Sequence, residues 1–115
     1  MLIAGLAAEA VWFMDSGSTD FRPVQSMRWN ILRPETLESL FVLYQATGDV
    51  KYREWSWKIW EAFDRHCKST YGYGAHPDVF NKNAQCCRGN DDKQETFWIA
   101  ETIKVRLDEE RSDEL

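Results

Sequence analysis

A pair of helices joined by a very short link is the sequence feature that most constrains the fold. The first helix is predicted from Pro34 to Ala46, because proline tolerates the first helical position and Gly48 favours a stop. Asp49 is expected to cap a second helix, from about Val50 to Lys68. Apolar side chains recur at helical spacing in both: Leu37, Leu40, Phe41 and Tyr44, then Tyr52, Trp55, Ile59 and Phe63, with Trp60 and Cys67 at the edge. Because the link is short, the two helices are expected to pack antiparallel.

The rest of the chain is predicted as two further helices and a long loop. An apolar run predicts a helix from about Leu2 to Met14, and a short extended link then leads to Pro34. A loop rich in Gly, Asn and Asp occupies 69–93. A last helix begins near Gln94 and is apolar around its whole circumference, which is typical of a buried helix. This chain has too few elements to bury such a helix on every side.

Length and charge exclude several classes of protein. A chain of 115 residues and 13.5 kDa has room for one domain. The net charge is −5 without a basic block, which argues against a nucleic-acid partner. No apolar run is long enough to cross a membrane, and the apolar start carries Glu9 and no basic leader, which favours a folded helix over a signal peptide. The acidic end, LDEERSDEL, is predicted to be solvated and frayed. Its last four residues, SDEL, resemble a retention signal for the endoplasmic reticulum, although coincidence explains this match equally well.

The cysteines and tryptophans leave alternatives open. The odd number of cysteines, Cys67, Cys86 and Cys87, excludes complete internal pairing. Their spacing with His66 and His76 predicts no zinc site. Six tryptophans in so short a chain must be packed or must meet a ligand such as a sugar, and core packing explains most of them.

Three carboxylates are candidates for chemistry. Glu35 and Glu38 lie one turn apart, opposite the apolar stripe of their helix. They either favour the helix dipole as first-turn acids or hold a water or cation between them. Glu101 lies one turn after Phe97 on the same face of the predicted buried helix, so it needs a partner. A structural salt bridge and a position beside a bound sugar both satisfy that need.

Three segments together resemble a known family. LRPETLESLF (32–41), ATGDVKYREWSWKIWEAFDRHC (46–67) and DDKQETFWIAETIK (91–104) resemble, in order and separation, the C-terminal part of the class I α-1,2-mannosidases, glycoside hydrolase family 47. The resemblance covers about Asp20 to Lys104. It implies an all-α fold in which 1–115 forms part of an (α/α) barrel of concentric helices, as a partial catalytic domain with a divergent acidic tail at 105–115.

The resemblance also implies an activity. Family members hydrolyse terminal α-1,2-linked mannose from high-mannose N-glycans in the lumen of the endoplasmic reticulum or Golgi, with calcium and with inversion. It implies that Glu35 is the base that activates water, that Arg33 lies near the bound mannose and that the Phe97 ring packs beneath it. Glu38 matches a carboxylate that orders waters around calcium, together with Glu35, and Glu101 matches a carboxylate that meets both the bound sugar and those waters. The threonine that binds calcium directly in the family has no match here.

Two departures from the family pattern limit what this chain is expected to do alone. The general acid of the family lies upstream of the matched part. The calcium threonine belongs to a Thr-Glu-Ala-His-Pro motif, and GAHPD at 74–78 lies in the loop and does not replace it. The chain is therefore expected to be a fragment of a mannosidase. The alternative is a truncated, catalytically inactive chain that acts as a weak glycan- or glycoprotein-binding helical module.

Overall fold

The protein is described by a computed structural model at residues 5–15, 21–87 and 93–111, apart from the side chain of Glu109. Helices dominate, as predicted, and a small two-stranded sheet precedes them. In chain order the elements are β1 (Val11–Phe13), β2 (Phe21–Pro23), α1 (Glu35–Thr47), α2 (Lys51–His66), a π-helical segment (Trp98–Ile103) and α3 (Lys104–Arg111). The π-helical segment runs directly into α3, and the two together are called the C-terminal helix.

The predicted helix pair is present, with bounds within one or two residues of those expected. Gly48 ends α1 in the left-handed conformation (φ 69°), and its N–H donates to the Tyr44 carbonyl at 2.8 Å. The Asp49 carboxylate accepts the Lys51 backbone N–H at 3.1 Å at the start of α2. α1 packs against α2. The predicted stripe of α2 is wrong at Trp55, whose side chain is 48% exposed.

The predicted helix over Leu2–Met14 is wrong in the described residues. Val11–Phe13 forms β1, which pairs antiparallel with β2. Gly5 has a φ of +82°, which interrupts a right-handed helix. The Glu9 N–H donates to the Trp29 carbonyl at 3.0 Å, so pairing with distant residues satisfies the backbone that a helix would have satisfied locally. Residues 1–4 of this predicted helix lie outside the described part.

An aromatic cluster holds the C-terminal helix against α2. Trp98 is 2% exposed and stacks on Trp60, with ring centroids 5.6 Å apart and planes nearly parallel. Phe63 meets Trp98 edge-on at 5.8 Å, and Tyr73 of the loop lies 4.8 Å from it. These contacts bury large rings in favourable geometries. The buried hydrophobic cluster as a whole comprises Leu6, Leu32, Leu37, Ala62, Phe63, Cys67, Val79 and Trp98.

The C-terminal helix is buried on one face only, as expected for a chain with too few elements to cover it on every side. Trp98 and Thr102 are buried, whereas Ile99 is 64% exposed and Leu107 52% exposed. The described elements cover a single face of this helix. The predicted frayed tail is wrong as far as Arg111, where α3 ends; SDEL lies outside the described residues. No described helix is long and apolar enough to span a membrane.

The loop between α2 and the C-terminal helix has neither helix nor strand in its described residues, as predicted. Two isolated bridges fasten it to the rest of the chain. Asn30 pairs with His76 through two backbone hydrogen bonds of 2.9 and 2.8 Å, and Lys68 pairs with Tyr73.

The backbone just before α1 is held in an unusual conformation. Leu32 has a φ of +61°, in the left-handed region that a leucine rarely adopts. Its N–H donates to the Asn30 side-chain oxygen at 2.9 Å, and its carbonyl accepts the hydroxyl of the fully buried Thr102 at 2.9 Å. The Asn30 side chain also donates to the Ala7 carbonyl at 2.7 Å. The N-terminal segment and the C-terminal helix are therefore both fastened to the residues that enter α1.

We expect Thr102→Val to lower the free energy of unfolding by about 1–3 kcal/mol, because it keeps the side-chain shape but leaves the Leu32 carbonyl without its buried donor. Denaturant unfolding of the 115-residue chain, followed by tryptophan fluorescence, measures the change. Thr70→Val in the exposed loop is the matched control and should stay within about 0.5 kcal/mol of the parent. Equal losses in the two variants would contradict this account of Thr102.

His66 and His76 lie side by side, and one ring nitrogen of each has no hydrogen-bond partner within the described residues. The rings of His66 and His76 are nearly perpendicular, with centroids 6.3 Å apart, and His76 is 2% exposed. His66 Nε2 and His76 Nδ1 have no partner within the described part of the chain. Burial lowers the pKa of both rings, helped by the charge of Arg65 at His66 and by His66 at His76.

We expect the chain to lose stability as pH falls below the ordinary histidine pKa of 6.5. The unfolded chain then binds protons that the folded chain, with its depressed histidine pKa values, still excludes, so stability is present above that pKa and is lost below it. Denaturant midpoints at about pH 7.5 and about pH 5.5 measure the loss, and His76→Gln should reduce the difference. Identical pH dependence in parent and variant would show that His76 is not responsible.

Candidate active site

A cleft of about 340 Å³ opens at the N-terminal end of α1. Three of its lining side chains are charged, namely Glu9, Arg33 and Glu35. Apolar and polar residues complete its walls: Gly5, Leu6, Ala7, Ala8, Asn30, Thr36, Ile59 and Phe63. The cleft therefore combines the N-terminal segment, the entry to α1 and one face of α2.

Arg33 is the centre of the charged group. Its Nε donates to Glu9 Oε2 at 2.7 Å, and its Nη1 lies 3.8 Å from Glu35 Oε1. Its guanidinium lies over the Phe97 ring, 5.8 Å from the ring centroid, which is a cation–π distance. The hydrogen bond that Arg33 donates to Glu9 raises the pKa of Arg33 most, followed by the charges of Glu9, Glu35 and Glu95. Arg33 therefore stays charged and joins two carboxylates to an aromatic ring.

Local backbone structure sets these positions. Arg33 follows the left-handed Leu32, and buried Pro34 then starts the turn into α1, of which Glu35 is the first residue. The Glu35 side chain is 66% exposed, whereas the Glu9 side chain is only 11% exposed. Glu9 is thus a half-buried anchor for Arg33, and Glu35 is the carboxylate that solvent can reach.

The sequence-predicted site residues divide into two groups. Arg33, Glu35 and Phe97 come together, although 62 positions separate Glu35 from Phe97 along the chain. No described contact joins Glu38 or Glu101 to that group. Glu38 is half-buried on α1, and Glu101 is exposed on the π-helical segment, so the prediction that Glu101 is a buried carboxylate in need of a partner is wrong.

Sequence reasoning missed Glu9 as a site residue. Its one signal was a carboxylate inside an otherwise apolar run, which argued only against a signal peptide. Its role depends on contact with Arg33, 24 residues away, and no local pattern predicts such a contact. Asn30 was missed for the same reason, since its side chain matters through Ala7 and Leu32.

The described carboxylates do not by themselves fit a calcium ion. Calcium takes six to eight oxygen ligands, several of them usually carboxylates. Among residues 5–15, 21–87 and 93–111, no three His, Cys, Asp or Glu side chains lie close enough together to hold a metal. Within this described part, the carboxylates therefore do not form a metal site on their own.

The arrangement suits a hydroxylated ligand and a water. An accessible carboxylate at Glu35 can accept a proton from water, and a fixed guanidinium at Arg33 can donate hydrogen bonds to hydroxyl oxygens. The adjacent Phe97 ring offers an apolar surface to the C–H groups of a sugar. These three groups meet at one end of α1, which makes this end the candidate active site.

The comparisons with known proteins point to one family. The model of glycosyl hydrolase family 47 matches residues 2–105. A Drosophila melanogaster protein named mannosyl-oligosaccharide alpha-1,2-mannosidase IA is 40% identical over 93 residues, which is 80% of this chain and 13% of that protein. A Schizosaccharomyces pombe protein named endoplasmic reticulum mannosyl-oligosaccharide 1,2-alpha-mannosidase is 38% identical over 105 residues, which is 90% of this chain and 20% of that protein.

A solved structure agrees with these relatives. The alpha-1,2-mannosidase from Trichoderma reesei superposes with a TM-score of 0.66 and 36% sequence identity, over 76% of this chain and 17% of that enzyme. The chain thus spans between 13% and 20% of the length of these three proteins. Since the family model covers nearly the whole chain, and both relatives exceed 30% identity over most of it, the chain belongs to glycosyl hydrolase family 47.

Proposed function

We propose that this chain is part of the catalytic domain of an α-1,2-mannosidase that removes terminal α-1,2-linked mannose from high-mannose N-glycans. The observation that carries the proposal is the meeting of Arg33, Glu35 and Phe97 at the N-terminal end of α1, where Arg33 and Glu35 line the cleft. The names of the relatives support the substrate class. The Schizosaccharomyces pombe relative is named for the endoplasmic reticulum, which supports a lumenal location in the endoplasmic reticulum or Golgi.

The activity is assigned to a longer polypeptide that contains this chain. The matched share of each relative is small. Large apolar side chains stand exposed on all three helices, including Val42 at 62%, Trp55 at 48% and Ile99 at 64%. Exposed apolar surface of this kind is typical of a face that packs against another element.

Glu35 acts as the general base in the proposed mechanism. An inverting glycosidase uses a carboxylate to take a proton from water while the water oxygen attacks the anomeric carbon from the face opposite the leaving group. The Glu35 carboxylate is accessible to such a water, and Arg33 lies 3.8 Å away as a weakly held neighbour. The general acid that protonates the leaving oxygen comes from outside this chain, as the family resemblance implies.

Arg33 and Phe97 orient the sugar. Arg33 is fixed by Glu9 at 2.7 Å, so its remaining N–H groups are held ready for hydroxyl oxygens at little cost in conformational entropy. Phe97 lies beneath the guanidinium and presents its ring to the sugar's C–H groups. Calcium dependence enters the same proposal only through the family resemblance. Because the described residues form no metal site of their own, the ion would be held by other residues, and Glu38 and Glu101 would then contact its waters.

We expect Glu35→Gln to lower kcat by roughly 10²–10⁴-fold, because glutamine cannot accept the proton from water. The assay is mannose release from a high-mannose oligosaccharide. The enzyme is a graft in which the part of this chain that superposes on the Trichoderma reesei alpha-1,2-mannosidase, 76% of its length, replaces the matching segment of that enzyme. Glu54→Gln, which is exposed on α2 and does not line the cleft, is the matched control and should leave kcat unchanged.

Several outcomes would contradict the proposal. A Glu35→Gln graft as active as its parent would remove Glu35 from the role of base. A graft with native near-ultraviolet circular dichroism but no activity would argue against the mannosidase assignment and for an inactive glycan-binding module. Mannose release by the 115-residue chain alone would show that no acid from outside the chain is needed.

We expect Glu9→Gln in the same graft to raise KM more than it lowers kcat. Glutamine keeps the side-chain volume but loses the charge-assisted hydrogen bond that orients Arg33, so binding of the sugar suffers before proton transfer does. Steady-state kinetics at varied oligosaccharide concentration separate the two effects. Glu61→Gln, on the exposed side of α2, is the control. A loss confined to kcat would place Glu9 in the proton transfer instead.

A further inference from the structure

The adjacent cysteines Cys86 and Cys87 form a disulfide near the end of the described loop. Both residues are half-buried. The third cysteine, Cys67, is a free thiol with no exposed surface, and burial raises its pKa to about 12. Because the thiolate is the reactive form, Cys67 is inert. The redox chemistry of this chain therefore falls on the adjacent pair.

This disulfide does not serve as a structural staple. A cross-link stabilises a fold mainly by closing a loop in the unfolded chain, and the gain grows with the length of that loop. Cys86 and Cys87 are neighbours in sequence, so the bond closes no segment of chain between them. Its effect is confined to the local backbone, where Cys87 lies in the left-handed region with a φ of +63°.

The two sulfurs lie against the C-terminal end of α2. Cys86 Sγ is 3.5 Å from the Lys68 carbonyl oxygen, and Cys87 Sγ is 3.6 Å from the Cys67 carbonyl oxygen. As thiols, both groups can donate weak hydrogen bonds to these carbonyls. As a disulfide, neither carries a hydrogen to donate. The oxidation state of the pair thus decides whether this part of the loop is hydrogen-bonded to α2.

The same carbonyls belong to a stretch that contacts the aromatic core. The Cys67 carbonyl also accepts the Gly74 N–H at 2.9 Å, and Lys68 pairs with Tyr73. The Tyr73 ring packs on Trp60 and Trp98. Trp98 directly follows Phe97, the ring of the candidate active site. A change at the cysteine pair can therefore be detected in the environment of these tryptophans.

We propose that Cys86 and Cys87 form a reversible thiol–disulfide modification site whose partner is a small-molecule thiol such as glutathione. In reduction, a glutathione thiolate attacks one sulfur of the pair, and the other sulfur leaves as a thiolate and takes a proton. A second glutathione thiolate then attacks the glutathione sulfur of the mixed disulfide and releases the first cysteine as a thiol. Two glutathiones are oxidised to one glutathione disulfide while the protein disulfide becomes two thiols.

The test is a redox titration of the 115-residue chain in buffers of reduced and oxidised glutathione. After acid quenching, alkylation and peptide mass spectrometry count the free thiols at each cysteine. We expect Cys86 and Cys87 to become alkylated together, with one midpoint inside the glutathione range, while Cys67 stays unmodified until the chain is denatured. Tryptophan fluorescence should change with the same midpoint. Phenylarsine oxide, which binds paired thiols, should block alkylation of the reduced pair.

Variants separate the pair from the third cysteine. Cys87→Ser should abolish both the paired alkylation and the fluorescence change, whereas Cys67→Ser should leave the midpoint unchanged. The peptide analysis of the parent chain decides the question even if either variant fails to fold. The proposal is overturned if Cys86 and Cys87 stay as thiols at every ratio, or if they form disulfides between chains. Thiol–disulfide exchange at Cys67 would also overturn the proposal, as would a tryptophan fluorescence that does not change with the redox state.

Discussion

The left-handed backbone at Leu32 is the constraint on which the candidate site depends. A non-glycine residue in this region costs about 1 kcal/mol or more, so it persists only where surrounding contacts hold it. Here the Leu32 side chain is buried, its N–H is held by Asn30 and its carbonyl by Thr102. These contacts fix the direction in which the chain leaves Leu32, and hence where Arg33 and Glu35 lie at the start of α1.

The same contacts join segments that are far apart in sequence. Thr102 lies 70 residues after Leu32, on the helical run that also carries Phe97. The hydrogen bond between Thr102 and Leu32 therefore helps to set how close the Phe97 ring lies to the Arg33 guanidinium. The stack of Trp98 on Trp60 holds the same helix against α2. Aromatic packing and one buried hydroxyl together determine the geometry of the cleft.

Local sequence patterns correctly predicted the helices whose formation depends mainly on interactions between neighbouring residues. The helix pair followed from apolar periodicity and from Gly48 and Asp49 at the link, and these elements depend on few distant contacts. The N-terminal segment was mispredicted because strand pairing and Gly5 override its apolar helical pattern. The π-helical segment has no signal in the sequence pattern, and it moves Glu101 to an exposed position.

The candidate site was predictable from resemblance and only partly from periodicity. Helical spacing placed Glu35 away from the apolar stripe but could not distinguish a first-turn acid from a site residue. The contacts of Arg33 with Glu9 and Phe97 bridge 24 and 64 positions, which no local window includes. The family resemblance identified Arg33 and Phe97 as site residues, because a family pattern reflects such distant contacts. It did not identify Glu9, which lies before the segments that resemble the family.

The unequal distances from Arg33 to Glu9 and Glu35 give these two carboxylates different roles. Glu9 holds the guanidinium at 2.7 Å and is nearly enclosed, while Glu35 lies 3.8 Å from it and is mostly exposed. A tight ion pair between Arg33 and Glu35 would occupy the Glu35 carboxylate and weaken it as a proton acceptor. Because Glu9 takes the close pairing, Arg33 is held in place and Glu35 keeps oxygen atoms free for water. The half-buried Glu9 orients the cation, and the exposed Glu35 remains available for chemistry.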